Sequence, residues 1–400
     1  MHDIPLKLAA ALALAAPATL QAQEPQTESE VIVVTGKTPA QTLSALEECL
    51  ARGCPPEEDI RLSLEHAENV FLGGSYGDAQ KTLRGSIRRT KGAADELPVP
   101  VSGLYRASAR VAEHQGEGRD FQLATLDMRD TLENGLGDDH WRTMVAQIAV
   151  GDSRAKLGVP DDAERIYKRI ERRAIEAGLP RIAMYARLRQ ALLDEARYAS
   201  TKRDHWRRDS VELLTAIRDE PLEGGEEFAV IADVMLARIA KEDGAEDATD
   251  DLVRRFVERG GVDRPVLLYS EPLYSDEDLD RELSRQTSAA ARLSTTLRGK
   301  PTWADIGFFV DTDGRVKEFE VLRAEGETAW IDQVKRHIES RRYAPVSDAA
   351  ATPGFYLIER YTLTSRFQDT TTGSRLRRRS PVARIERLDI TPENYAAPAL

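Results

Sequence analysis

Residues able to do chemistry are thinly spread in this sequence. The turn Asp311-Thr312-Asp313-Gly314 opens as a calcium loop does. The later acidic ligands and closing glutamate of such a loop are missing, and Val316, Phe319 and Val321 follow at strand spacing, so the turn reads as a hairpin rather than a metal site. Cys49 and Cys54 lack the Cys-x-x-Cys spacing of a redox pair, and the nearest histidine, His66, is too isolated to complete a zinc site. Positions five apart on a helix do not face each other. Gly53 can end that helix, however, and Pro55-Pro56 turn the chain just after it, so a local disulfide is the preferred reading and two buried thiols the alternative. His140 beside Trp141 and His205 beside Trp206 sit singly in helical settings and read as packing or surface residues. No serine-nucleophile elbow, phosphate-cradling glycine loop or His-Glu-x-x-His helix is recognised. The expectation is therefore a non-enzymatic protein with no catalytic residues, metal or cofactor, acting through its surfaces.

The elements that would present such a surface are clearest between Thr302 and Phe367. Ala304, Ile306, Phe308 and Val310 alternate as on the buried face of a strand. Asp313-Gly314 supplies the φ > 0 freedom of a tight turn, and Arg315 to Leu322 resume as a second strand. The period then changes. Ile331, Val334 and Ile338 line one side of a helix spanning Ala329 to Arg341, with Thr328 as its N-cap. Phe355, Leu357, Tyr361, Leu363 and Phe367 share one side of a third strand, interrupted by Glu359 and Ser365.

This order of strand, hairpin, strand, helix and strand resembles the C-terminal domain of TonB-type energy transducers. The matching residues are Phe308-Phe309-Val310-Asp311, Asp313-Gly314-Arg315-Val316 and Arg342-Tyr343-Ala344-Pro345. Pro272-Leu273-Tyr274-Ser275 is similar to the family's Pro-x-Tyr-Pro element, with serine for the second proline. The resemblance implies a three-stranded antiparallel sheet with a helix. It also implies a sheet edge at Phe355, Tyr356, Leu357, Ile358 and Tyr361 that accepts an extended peptide by β-strand addition. Glu30 to Lys37, with Val31, Ile32, Val33 and Val34 at its centre, looks like a TonB box, the peptide that such sheets capture. Its pairing in cis would shield the open edge.

Upstream, the chain reads as helical from Thr42 to about Glu258. Gly74-Ser75-Tyr76-Gly77-Asp78-Ala79 resembles the turn and second helix of a tetratricopeptide repeat. Further copies begin at Gly118 and Gly158, a weaker one at Gly244, and a degenerate one falls between Tyr198 and Asp204. The period is about 42 residues, longer than the ~34 of the standard repeat. Stacked hairpins of this kind form a curved solenoid, because none can bury its apolar side alone. Leu97-Pro98-Val99-Pro100-Val101 reads as an extended break between hairpins.

Residues 1–22 have the form of a cleaved signal peptide, with Lys7, an apolar run from Leu8 to Ala16, and Leu20-Gln21-Ala22 before the cut. Localisation in the periplasm follows. No later run approaches the ~18 apolar residues of a membrane span. The 400 residues allow two or three domains, and a net charge of −12 argues against nucleic acid as a partner. The expected fold is α+β: a flexible segment at 23–41, a helical repeat domain at 42–258, a linker and helix at 259–300, the TonB-like domain at 301–367, and an irregular tail at 368–400. That tail carries a basic cluster of Arg375, Arg377, Arg378 and Arg379. The resemblance implies partners among envelope proteins, TonB-dependent outer-membrane receptors included. The other reading is a helical-repeat scaffold for cell-envelope or cell-wall assembly.

Overall fold

Proline and glycine punctuation sets the architecture of the helical region. The computed structural model describes residues 37–273, 302–326, 328–347, 354–369 and 377–392, with backbone alone for 365–369 and 377–383. The expected signal peptide, the box-like Val31 to Val34, residues 274–300 of the expected linker and helix, and Arg375 lie outside these residues. Eleven helices run in sequence: α1 (Pro39–Ala51), α2 (Pro56–Leu72), α3 (Tyr76–Thr90), α4 (Pro98–His114), α5 (Gly118–Leu136), α6 (Trp141–Lys156), α7 (Pro160–Glu176), α8 (Pro180–Thr201), α9 (Asp204–Asp219), α10 (Glu226–Glu242) and α11 (Ala248–Glu258). The first starts before Thr42. Thr38 and Gln41 form a capping box that satisfies its leading amides.

The same C-terminal cap recurs. After α2 the Ser75 amide donates to Val70 O and the Gly74 amide to Phe71 O. Equivalent pairs of bonds close α4 at Gly116, α6 at Gly158 and α10 at Gly244. Gly116, not Gly118, is therefore the counterpart of Gly74. Gly74, Gly116 and Gly158 are evenly spaced, and Gly118 is already helical. The stretch from Leu97 to Val101 is not an extended break. Pro98 opens α4, where the first-turn amides have no intrahelical acceptor and a proline loses nothing.

The C-terminal part is built from strands β1 (Leu267–Tyr269), β2 (Thr302–Asp311), β3 (Val316–Glu325), β4 (Arg342–Tyr343), β5 (Gly354–Asp369) and β6 (Arg377–Asp389), with helix α12 (Ile331–Glu339). β1 and β4 make a small antiparallel sheet, and the larger one is antiparallel in the order β3-β2-β5-β6. The sheet has four strands rather than three, and the tail expected to be irregular supplies the fourth. Pro381 sits where the β5–β6 register shifts, at the edge of the sheet, a position that tolerates a missing amide. Helix α12 is shorter than Ala329 to Arg341. Thr328 contributes its carbonyl to the Ile331 amide and no side-chain cap.

The sheet is a middle layer. On one face Ala304, Ile306, Phe308 and Val310 pack with Ile331, Val334 and Ile338 of α12 and with Phe355, Leu357 and Tyr361 of β5. On the other, Trp303 enters the core of α2, α3 and α4 beside Phe71, Tyr76 and Val111. At the far end of the array, Leu268 and Ala344 join Val234, Ala237, Leu252 and Phe256 of α10 and α11. Arg238 of α10 donates to Leu267 O and Leu268 O at 2.8 Å each. The strand domain thus packs on both early and late helices of the array. Among the described residues no helix is long and apolar enough to cross a membrane.

Candidate functional site

The residues expected to form a peptide-accepting edge all lie on β5, and β5 is an interior strand. Gly354 to Leu363 pair with β2 on one side, and Glu359 to Asp369 pair with β6 on the other. Beyond the ladder, Thr391 continues the seal. Its hydroxyl accepts from the Ile358 amide at 2.9 Å, and the Ile390 amide donates to Ile358 O. Phe355 and Leu357 are buried in the core under α12, and Tyr361 is fully buried; Tyr356 and Ile358 are partly buried. The place foreseen for Val31 to Val34 is held along Glu359 to Asp369 by β6. The physical reason is proximity. β6 follows β5 through a short connection, so its pairing costs little loop-closure entropy.

The margins of the sheet are therefore β3 and β6. β3 is poor at accepting a strand. Its pairing with β2 shifts register twice, Glu318 has φ of 54°, and Lys317, Glu318, Glu320, Arg323 and Glu325 charge it. Bulges and charges of this kind are how edge strands avoid unwanted pairing.

Two buried arginine–carboxylate nodes, neither anticipated, hold β5 in place. Arg360 is completely buried. It donates to Asp305 Oδ1 at 2.6 Å and Oδ2 at 2.9 Å, and to the Phe71 and Leu72 carbonyls at 2.6 Å each. Its guanidinium lies 4.0 Å from the centre of the Trp303 ring. Phe71 and Leu72 end α2, where carbonyls with spare acceptor capacity and the helix dipole favour a cation. On the opposite face, Arg341 grips Glu359 with two hydrogen bonds, at 3.0 and 2.9 Å, and donates to the Tyr343 and Tyr361 hydroxyls. Burial would push the Glu359 carboxyl up, but Arg341 and then Arg387 outweigh it and hold it below the usual carboxylate range. Burial and then Glu359 push the Tyr361 hydroxyl up.

Beside the Arg360 node, Thr362 Oγ1 lies 2.8 Å from the Tyr76 hydroxyl and 2.9 Å from His114 Nδ1. Burial first, then Arg110 and Arg360, lower the His114 pKa to about 3. The ring is therefore neutral and can accept the Thr362 proton while Thr362 accepts from Tyr76. The signal in the sequence was charge inside apolar strands, Asp305 between Ala304 and Ile306 and Glu359-Arg360 between Ile358 and Tyr361. No local pattern names partners almost three hundred residues away.

The remaining sequence candidates are distributed singly. Cys49 and Cys54 form a disulfide, with Cα atoms 5.1 Å apart, so their sulfurs cannot serve a metal beside Glu58. In the 311–314 turn the Asp311 carboxylate accepts from the Arg315 amide at 2.7 Å, and Gly314 has φ of 77° against the Tyr343 carbonyl. Gly73-Gly74-Ser75-Tyr76-Gly77 spells Gly-x-Ser-x-Gly, a pattern the sequence reading passed over. It lies in the turn between α2 and α3, not between a strand and a helix, and Ser75 is exposed. His140 caps α6 through the Arg142 amide, and His205 rests against Trp206.

No protein-family model and no curated protein matches the chain.

Proposed function

We propose that this chain is a non-enzymatic periplasmic adaptor of TonB-like type, which takes an extended segment of an envelope protein at the β5 margin, in exchange for β6. The observation that carries this reading is the β5–β6 ladder itself. In it, the strand at which the family resemblance implies peptide addition is paired with an extended segment of the chain itself, which supports the reading. The succession of β2, β3, α12, β4 and β5 follows the order of the resembling domain. Outer-membrane receptors with box-like segments are the partners this reading implies. The helical array, read as tetratricopeptide-like hairpins, would hold a second protein.

A second reading is favoured by the burial of Arg360 against α2. In it, the strand domain is a permanent cap and the protein is a helical-repeat scaffold for envelope or cell-wall assembly. One experiment separates the two. Leu363 and Ile385 stand opposite each other on β5 and β6. With both changed to cysteine, oxidation locks β6 in place and reduction frees it. A synthetic peptide of residues 30–37 should bind the reduced full chain and lose binding on oxidation. Absence of binding in both states overturns the adaptor and leaves the scaffold.

A further inference from the structure

Away from the sheet, helices α5, α6 and α7 form an open cavity of about 290 Å³ lined by Arg129, Gln147, Arg154, Asp162, Arg165 and Arg169, with apolar walls from Leu126, Val150 and Ile166. Helical spacing makes the convergence. Gln147 and Arg154 are two turns apart on α6, and Arg165 and Arg169 one turn apart on α7, so each pair shares a face. Four guanidinium groups thus meet one carboxylate in the lining of a protein whose net charge is −12.

The local carboxylates pair with only two of these arginines. Arg165 pairs with Asp162, and Arg129 Nε lies 2.5 Å from Asp130 and 3.5 Å from Glu133. Arg154 meets only the neutral Gln122 amide oxygen, at 2.6 Å, and Arg169 has no ion pair among the described residues. Two buried polar atoms of the lining also have no hydrogen bond. These are Arg129 Nε, a donor, and Gln147 Oε1, an acceptor on a side chain only 5% exposed. The Gln147 orientation is set by its amide nitrogen, which donates to Asp138 Oδ1 at 2.6 Å. Arg129 Nε still faces the carboxylates of Asp130 and Glu133, but Gln147 Oε1 has no partner; buried polar atoms in a native site ordinarily have one, and an acceptor left over beside clustered arginines describes the ligand that would satisfy it.

We propose that this cavity binds a small hydroxylated anion, a sugar phosphate in chemical class. The phosphate engages Arg154, Arg165 and Arg169, and a ligand hydroxyl donates to Gln147 Oε1. The volume is at the small end of ligand sites and matches a monosaccharide phosphate. This proposal is independent of the sheet and stands whichever reading of β5 holds.

The test is calorimetric titration of the full chain with glucose 6-phosphate, inorganic phosphate and glucose, and flotation with phosphatidylglycerol vesicles. Saturable binding of glucose 6-phosphate, at least tenfold tighter than inorganic phosphate, is expected, with none for glucose. Arg154→Gln with Arg169→Gln should weaken glucose 6-phosphate at least tenfold. Gln147→Leu should erase its preference over inorganic phosphate. Arg181→Gln, an exposed arginine paired with Glu227 elsewhere on the array, should change neither. Circular dichroism verifies that each variant folds. Vesicle binding abolished by the double variant would assign the same chemistry to a lipid headgroup. No saturable binding of any probe to the unmodified chain, or binding indifferent to the double variant, overturns the proposal.

Discussion

Replacing Arg360 by methionine tests whether the strand domain is held to the helical array by charge or by apolar packing. Methionine keeps most of the side chain's aliphatic length, so apolar packing is largely preserved, while the guanidinium over the Trp303 ring is lost. What is lost is specific. Asp305, 1% exposed, keeps only Arg323, which reaches Oδ2 from a half-exposed position. The Phe71 and Leu72 carbonyls lose their charged donor. Removing one partner of a buried ion pair costs about 3–5 kcal/mol, and the orphaned Leu72 carbonyl about 1–3 kcal/mol, while Phe71 O keeps the Gly74 amide. These losses overlap at one site, so the expected total is about 3–5 kcal/mol, a large share of the ~5–15 kcal/mol that holds a folded chain together. The assay is urea unfolding followed by tryptophan fluorescence, which sees Trp303 directly. Arg360→Met should lower the midpoint and separate a strand-domain transition from that of the helices. Adding Asp305→Asn should recover at least about 1 kcal/mol, since the stranded charge is then gone. A loss under about 1 kcal/mol in Arg360→Met, or strict additivity in the double variant, would refute the view that this node clamps the domains.

Three further outcomes follow from the same structure. His114 has a folded pKa lowered to about 3 against an ordinary 6.5, so its stabilising contribution is complete above pH 6.5 and is lost as pH falls towards 3; between pH 7 and 5 the native chain should lose about 2 kcal/mol more than His114→Phe in paired urea titrations. Gly74→Ala places a Cβ 2.5 Å from the Trp303 ring at φ of 84° and should cost about 1–3 kcal/mol, whereas Gly77→Ala meets open space in the first turn of α3 and should gain about 0.5–1 kcal/mol in melting experiments. Reducing the Cys49–Cys54 disulfide, or changing both residues to alanine, should cost about 2 kcal/mol by the loop-entropy relation, read as a lowered denaturant midpoint with the α1–α2 corner affected first.

How far the fold was legible depended on how local its cause was. The hairpin about Gly314, the apolar stripe of α12 and the repeated glycine caps of the array each arise within a few residues. The repeat was slightly misregistered at Gly118 because two glycines stand close together and only the left-handed one caps. Pro98 and Pro100 suggested an extended break, since proline's compatibility with a first helical turn shows only once the helix start is known. β6 was missed because its partly buried Ile385 and Leu388 are three apart, not alternating, and because arginines dominate its first half.

The sequence by itself determined the α+β division, the helical character of the region after Thr42, and the alternation of Ala304, Ile306, Phe308 and Val310 along β2, because periodicity and turn chemistry act along the chain. Only the tertiary structure decided that β5 is flanked on both sides, that Arg360 is buried against the end of α2, and that four arginines face one cavity. Those outcomes depend on which distant groups meet once water is excluded, and the free energy of a charge or an unpaired strand is set by that meeting rather than by its neighbours in sequence.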